Sequence, residues 1–175
     1  QLIFNHGANS DQASQSGLAW LMANLLDEGA GQKNALEVSD ALRLLATDYG
    51  ASVYNDFTTL SMDLLAETLK PSLDLLADFV LRPQFNEKDF ERVKKQRVAS
   101  AVASRANPRA SRNRVMMRTL FADGYAGLPS NGLPKTVESL TLADVKNAYK
   151  NLIKPKDAVL IVVGKVDMKA LSTEL

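Results

Sequence analysis

The 175-residue chain is 46% hydrophobic and 23% charged, enough apolar material for one domain with a packed core. Its 21 lysines and arginines stand against 20 acids, a formal charge of +1, so no whole-molecule field recruits nucleic acid or an anionic membrane. The lack of cysteine excludes disulfides, thiolate metal sites and a cysteine nucleophile while leaving the compartment open, and no apolar stretch approaches the roughly 20 residues of a membrane-spanning helix.

Gln1 to His6 reads as the tail of a strand with no initiator methionine, as expected of a segment of a longer polypeptide. After the polar stretch Ala8 to Ser16, the residues Leu18, Leu21, Met22, Leu25 and Leu26 recur at helical spacing and predict a helix over 17–28, stopped by Gly29 and Gly31. A second helix is expected from about Ala35 to Asp48, with Gly50 in the left-handed position after it, and the two helices should pack as a hairpin. Between Ala51 and Ala66 the period changes to two, which predicts two antiparallel strands with Asn55 and Asp56 at the turn. Pro71 is placed at the first position of the next helix, where a missing N–H costs nothing, and Pro83 ends that helix.

A long charged helix follows from Glu87 to about Ala106, with Phe90, Val93 and Val98 as its apolar stripe and Lys88, Arg92, Lys94, Lys95 and Arg97 exposed. Pro108 separates it from a helix through Val115, Met116, Leu120 and Phe121, and Asp123 to Pro134 reads as a loop rich in Gly and Pro. Thr141, followed three residues on by Asp144, is a capping-box signature for a helix through Val145, Ala148, Tyr149 and Leu152. Ala158 to Val163 is a continuous apolar run, read as a central strand, and a further element is expected from Val166. This irregular alternation, with a hairpin and no recurring strand–helix–strand unit, indicates an α+β fold. Its expected form is two layers, a mostly antiparallel sheet packed against helices, with residues 1–175 forming a single domain.

Several short strings stand in a fixed order along nearly the whole chain: Gly17-Leu18-Ala19, Leu25-Leu26 and the glycines after the first helix, then Leu73-Asp74-Leu75-Leu76-Ala77-Asp78 and Pro83-Gln84-Phe85. Ser139-Leu140-Thr141 and Leu160-Ile161-Val162-Val163-Gly164-Lys165-Val166-Asp167 complete the series. Together they resemble the pitrilysin/insulinase family of zinc metallopeptidases. Active members carry an inverted zinc motif, His-x-x-Glu-His, directly after Gly-Leu-Ala on the first helix. Two histidines four apart reach one ion from one helical face, and the Glu takes the proton of zinc-bound water. The matching window here is Trp20-Leu21-Met22-Ala23-Asn24, with Trp20 and Asn24 in place of the histidines and Ala23 in place of the general base. The family's third ligand, a Glu, falls by register near Ala99 to Ala101, where no carboxylate stands.

The resemblance therefore implies an inactive half-domain with neither catalytic residues nor a metal of its own. Such a half completes the peptide chamber of a zinc-bearing catalytic half, supplied by the same chain or by a separate subunit. It further implies that the strand Ala51, Ser52, Val53 and Tyr54 lies beside the active site, where an extended peptide substrate adds as a strand. A homo- or heterodimer, and a periplasmic or other extracytoplasmic or organellar setting, are the corresponding expectations for assembly and location.

The remaining residues give weaker signals. His6 has no second histidine and reads as a turn or surface residue, and Trp20 reads as packing with its N–H satisfied. Asp27 and Glu28 are adjacent on a helix, roughly 100° apart around its axis, and read as a solvated end rather than an acid–base pair. Arg105, Arg109, Arg112, Arg114 and Arg118, with Lys94, Lys95 and Arg97, offer an alternative role as a binder of an acidic ligand or nucleic acid. They lack interleaved aromatics and a Gly-rich phosphate cradle, so no nucleic-acid partner is expected. A structural or assembly subunit with no part in proteolysis is the last alternative.

Overall fold

The computed structural model describes residues 1–122, 125–167, 169 and 171–172. In chain order its elements are β1 (Leu2–Phe4), α1 (Leu18–Ala23), β2 (Gly29–Ala30), β3 (Lys33–Asn34), α2 (Ala35–Leu44), β4 (Asp48–Val53) and β5 (Thr58–Asp63). They are followed by α3 (Leu69–Leu81), α4 (Glu87–Ala103), α5 (Pro108–Phe121), α6 (Pro134–Ser139), α7 (Leu142–Leu152) and β6 (Ala158–Leu160). Four strands form one antiparallel sheet in the order β4-β5-β1-β6, while β2 and β3 make a separate short hairpin. The expected α+β arrangement of an antiparallel sheet against helices is present.

The strand period of two sorts side chains into an inner and an outer face. Cross-strand pairing aligns Val53, Thr58, Phe4 and Ala158 in one inner row and Ala51, Leu60, Leu2 and Leu160 in the next, while Ser52, Thr59, Ile3 and Val159 line up on the outer face. Onto the inner rows pack Leu21, Met22, Leu25 and Leu26 around α1, Leu75, Leu76, Phe79 and Val80 from α3, Phe90 and Val93 from α4, and Val145 and Ala148 from α7. Full burial of a side chain such as Phe79 contributes about 2–3 kcal/mol, so this cluster is the main source of stability. Lys94 holds α4 near α6 by donating from Nζ to the Leu140 carbonyl at 2.9 Å, with its ammonium 5.0 Å from the Phe90 ring centre.

Local chemistry explains most element ends. The capping box at Thr141 forms: the Asp144 N–H donates to Thr141 Oγ1 at 3.2 Å and the Thr141 N–H to Asp144 Oδ2 at 2.9 Å. The Thr141 hydroxyl, donating to Asp144 Oδ2 at 2.6 Å, and then the Thr141 N–H hold the Asp144 carboxyl below its ordinary pKa. The turn at Asn55 and Asp56 also lies where expected, closed by Tyr54 N–H to Phe57 O at 2.9 Å. In the Pro83-Gln84-Phe85 string, the Gln84 side chain donates to the carbonyls of Gly31 and Lys33 at 3.1 and 3.0 Å and so clamps the β2–β3 hairpin.

Several boundaries differ from the sequence reading. The first helix ends at Ala23, and Leu25 and Leu26 are buried in turns beyond it, so apolar periodicity outlasts the helix. It packs chiefly on α7 rather than on α2, because the β2–β3 hairpin follows it. The second helix ends at Leu44; Ala46, at φ +49°, takes the left-handed position, and Asp48 and Gly50 are strand residues. Pro71 is the third residue of α3, still within the first turn, where its missing N–H breaks no helical bond. A short helix, α6, starts at Pro134 inside what read as connection. Among the described residues the run from Ala158 supplies an outer strand and not the expected central one: β6 pairs there with β1 alone, and Val159 and Val163 are exposed. Within the predicted loop and the expected element after Val166, Asp123, Gly124, Met168, Ala170 and residues 173–175 lie outside the described residues.

Candidate functional site

The site is built where α1 enters the core beneath β4. Asp11 fixes the start of α1, its two carboxylate oxygens accepting the N–H groups of Gly17 and Ala19 at 2.9 and 3.0 Å. Burial outweighs those bonds and pushes the Asp11 carboxyl up to about 6. Gly17, at φ +97°, touches Gly132, at φ +77°, so closely that a Cβ added at Gly17 would lie 2.8 Å from the Gly132 Cα. Only glycines allow this approach, which draws the 126–134 segment against the helix.

One turn later stand the positions aligned with the inverted motif. Trp20 is half-buried and meets the guanidinium of Arg97, on α4, at 5.5 Å from its ring centre. Ala23 is fully buried and, with Ala19, packs against Val53. Asn24 turns back on its own helix, its Nδ2 donating to the Trp20 carbonyl at 2.9 Å. On α4, Ala99 and Ser100 are exposed, whereas Ala101 is buried. An indole and three alanine methyl groups offer zinc no ligand, Ser100 has an exposed hydroxyl rather than a carboxylate, and the one carboxamide is committed to the main chain, so these side chains do not fit a zinc ion. Among the described residues, no three His, Cys, Asp or Glu side chains gather where a metal could sit.

Ala51 to Tyr54 run along β4 and its end. Val53 is buried and Ala51 half-buried toward α1, while Ser52 and Tyr54 point out, and Tyr54 stacks on Phe57 with ring centres 4.5 Å apart. Among the described residues β4 is an outer strand pairing with β5 alone. Since Tyr54 N–H bonds to Phe57, antiparallel alternation turns the main-chain groups of Ser52 and Gly50 to β5 and those of Tyr49, Ala51 and Val53 to the open edge. Degenerate helix and open strand edge thus adjoin.

Other sequence assignments change. Arg97, read as exposed, is 8% accessible, with Nε donating to the Asn131 carbonyl at 2.6 Å and an Nη to that of Gly132 at 3.3 Å. Its helical position alone carried no sign of this, because the residues receiving it lie in the distant 126–134 segment. Asp27 and Glu28 are not a solvated end: Glu28 accepts from Arg92, and burial first, then the Glu28 charge, push the Asp27 carboxyl up to about 6. His6 contributes its carbonyl to the Thr58 hydroxyl at 2.7 Å.

The model of the insulinase family, peptidase family M16, matches residues 1–132. The chain belongs to that family. A non-peptidase homolog, YmxG, of Helicobacter pylori is 22% identical over 99% of this chain and 41% of its own length. An uncharacterized zinc protease of Streptomyces coelicolor is 22% identical over 92% of this chain and 35% of its own. Among solved structures, a peptidase M16 inactive domain from Pseudomonas fluorescens superposes with a TM-score of 0.91 at 25% identity, over 99% of this chain and 42% of that one. Pitrilysin shares the fold, with a TM-score of 0.85 at 17% identity over 99% of this chain and 19% of its own. The chain thus spans about two fifths or less of the length of these M16 relatives, and its likeness to an inactive domain and a non-peptidase homolog supports a non-catalytic M16 half.

Proposed function

We propose that this M16 half completes the peptide-binding chamber of a zinc-bearing catalytic half, within one polypeptide or across two subunits, and presents β4 to an extended peptide. The observation that carries the reading is the open edge of β4 directly beside α1, where the family's metal would require donors and Trp20, Ala23 and Asn24 supply none. An added strand is held by main-chain hydrogen bonds, so the loss of catalytic side chains leaves this capacity intact. The relatives named as zinc proteases fit zinc residing in the catalytic half. On this reading the domain does not cleave peptide itself.

Proline substitution tests the strand. Ala51→Pro removes an N–H that faces the open edge, whereas Ser52→Pro removes one committed to β5. In the full-length protein, peptide binding by calorimetry is expected to fall about tenfold or more in the Ala51→Pro variant, with its melting temperature nearly unchanged. Ser52→Pro instead lowers the melting temperature. Unaltered peptide affinity in a folded Ala51→Pro protein overturns the reading.

A further inference from the structure

An unexplained feature near this site is a cleft of about 420 Å³ between α4, α5 and the 126–134 segment. Among the described residues, Arg97 and Arg114 are its charged residues, Ser100, Ser104, Asn113 and Asn131 supply neutral polar groups, and no Asp or Glu lines it. We infer that this cleft binds a carboxylate carried by a peptide.

Arg97 supplies the first argument. A guanidinium removed from water costs several kcal/mol unless an opposite charge or a full set of acceptors compensates it. Arg97 is almost fully buried, yet its partners among the described residues are the neutral carbonyls of Asn131 and Gly132 and the face of Trp20. No carboxylate pairs with it there.

Arg114 makes the deficit larger. Its Nη donates to the Ser104 hydroxyl at 3.2 Å, again a neutral partner, and it lies near enough to Arg97 to oppose that residue's charge. Burial is the larger influence lowering the Arg97 pKa, and the Arg114 charge is the second. Two cations held together around a cleft with no acid among the described residues are an anion site in waiting, since one carboxylate accepts from both and relieves their repulsion.

The position of the cleft favours a peptide over a nucleic acid. Asn55, two residues past the end of β4, lines it, so an extended chain added to that strand edge leads toward the two arginines. Among the described side chains, no aromatic ring lines the cleft to stack a base. The peptide as carrier rests on the strand-addition reading above; the preference for an anion rests on the arginines alone.

Calorimetry on the full-length protein with two pairs of eight-residue peptides separates the sources of the carboxylate. One pair has blocked ends and differs by a central Glu or Gln; the other is neutral in its side chains and differs by a free or amidated C-terminus. At least one acidic member should bind about tenfold tighter than its neutral twin. Identity of that pair tells side chain from terminus. The advantage should vanish in Arg114→Gln, whose half-buried side chain leaves the fold intact, and in Arg97→Met, with circular dichroism checking that fold.

Equal affinity within both pairs overturns the inference, as does an advantage that survives Arg114→Gln. Inorganic phosphate competing more strongly than acetate for the site also overturns it, in favour of a phosphate ligand. If Ala51→Pro leaves every affinity unchanged while the acidic advantage persists, the strand reading fails and the carboxylate site stands.

Discussion

At the scale of single residues, burial decides more than identity. Asp27 shows how this converts to a pH dependence: its carboxyl rises from an ordinary 3.8 to about 6, so the folded state holds the proton more tightly than the unfolded chain. Its contribution is fully favourable below about pH 4 and is lost as pH rises through 6. Asp27→Asn removes an ionised buried group, and we expect the variant to gain on the order of 2 kcal/mol at pH 8 and almost nothing at pH 4. Urea unfolding at the two pH values checks this, and an equal gain at both would assign the effect to packing instead. Arg97 is the complementary case, a buried cation whose partners among the described residues are two carbonyls and an indole, none of them an opposite charge. Neither environment could be read from the chain, because Asp27 and Arg97 are enclosed by residues remote in sequence.

Elements were legible where their chemistry is local. Thr141 with Asp144, the Asn55–Asp56 turn and the alternation through Leu60 and Met62 specify a helix start and a hairpin within a few residues, and those elements stand where predicted. The end of α2 was not legible, because Leu44, Leu45 and Ala46 continue a helical composition while the chain turns through a left-handed alanine. The position of β6 in the sheet was not legible either, since an apolar run records contact with other apolar surface and not the number of strand neighbours. Strand order decides the candidate site, for it leaves β4 with one free edge. Combining Ala51→Pro and Ser52→Pro in separate proteins uses that asymmetry, because the two N–H groups are adjacent in sequence and opposite in what they bond.

For the whole molecule, the chain is a part in size and in chemistry: it covers 35% to 42% of the first relatives and inactive-domain structure, and its α1 has no donor set for the family's metal. If zinc belongs to another half, chelation should abolish peptide hydrolysis by the complete assembly while peptide binding at β4 persists. Calorimetry in the presence and absence of chelator measures this, and binding lost together with zinc would place the peptide on the metal instead. The resemblance of motif order located the family because those strings mark backbone needs, Gly17 against Gly132 and Gln84 across the β2–β3 hairpin, which do not depend on catalytic side chains. The stack of Trp20 on Arg97 has an optical consequence. Trp20 is the chain's single tryptophan, so the indole emission from this domain originates at the wall between β4 and the arginine cleft. A ligand that draws Arg97 away from that ring changes the emission without any label, and the change can be followed in time as the site fills.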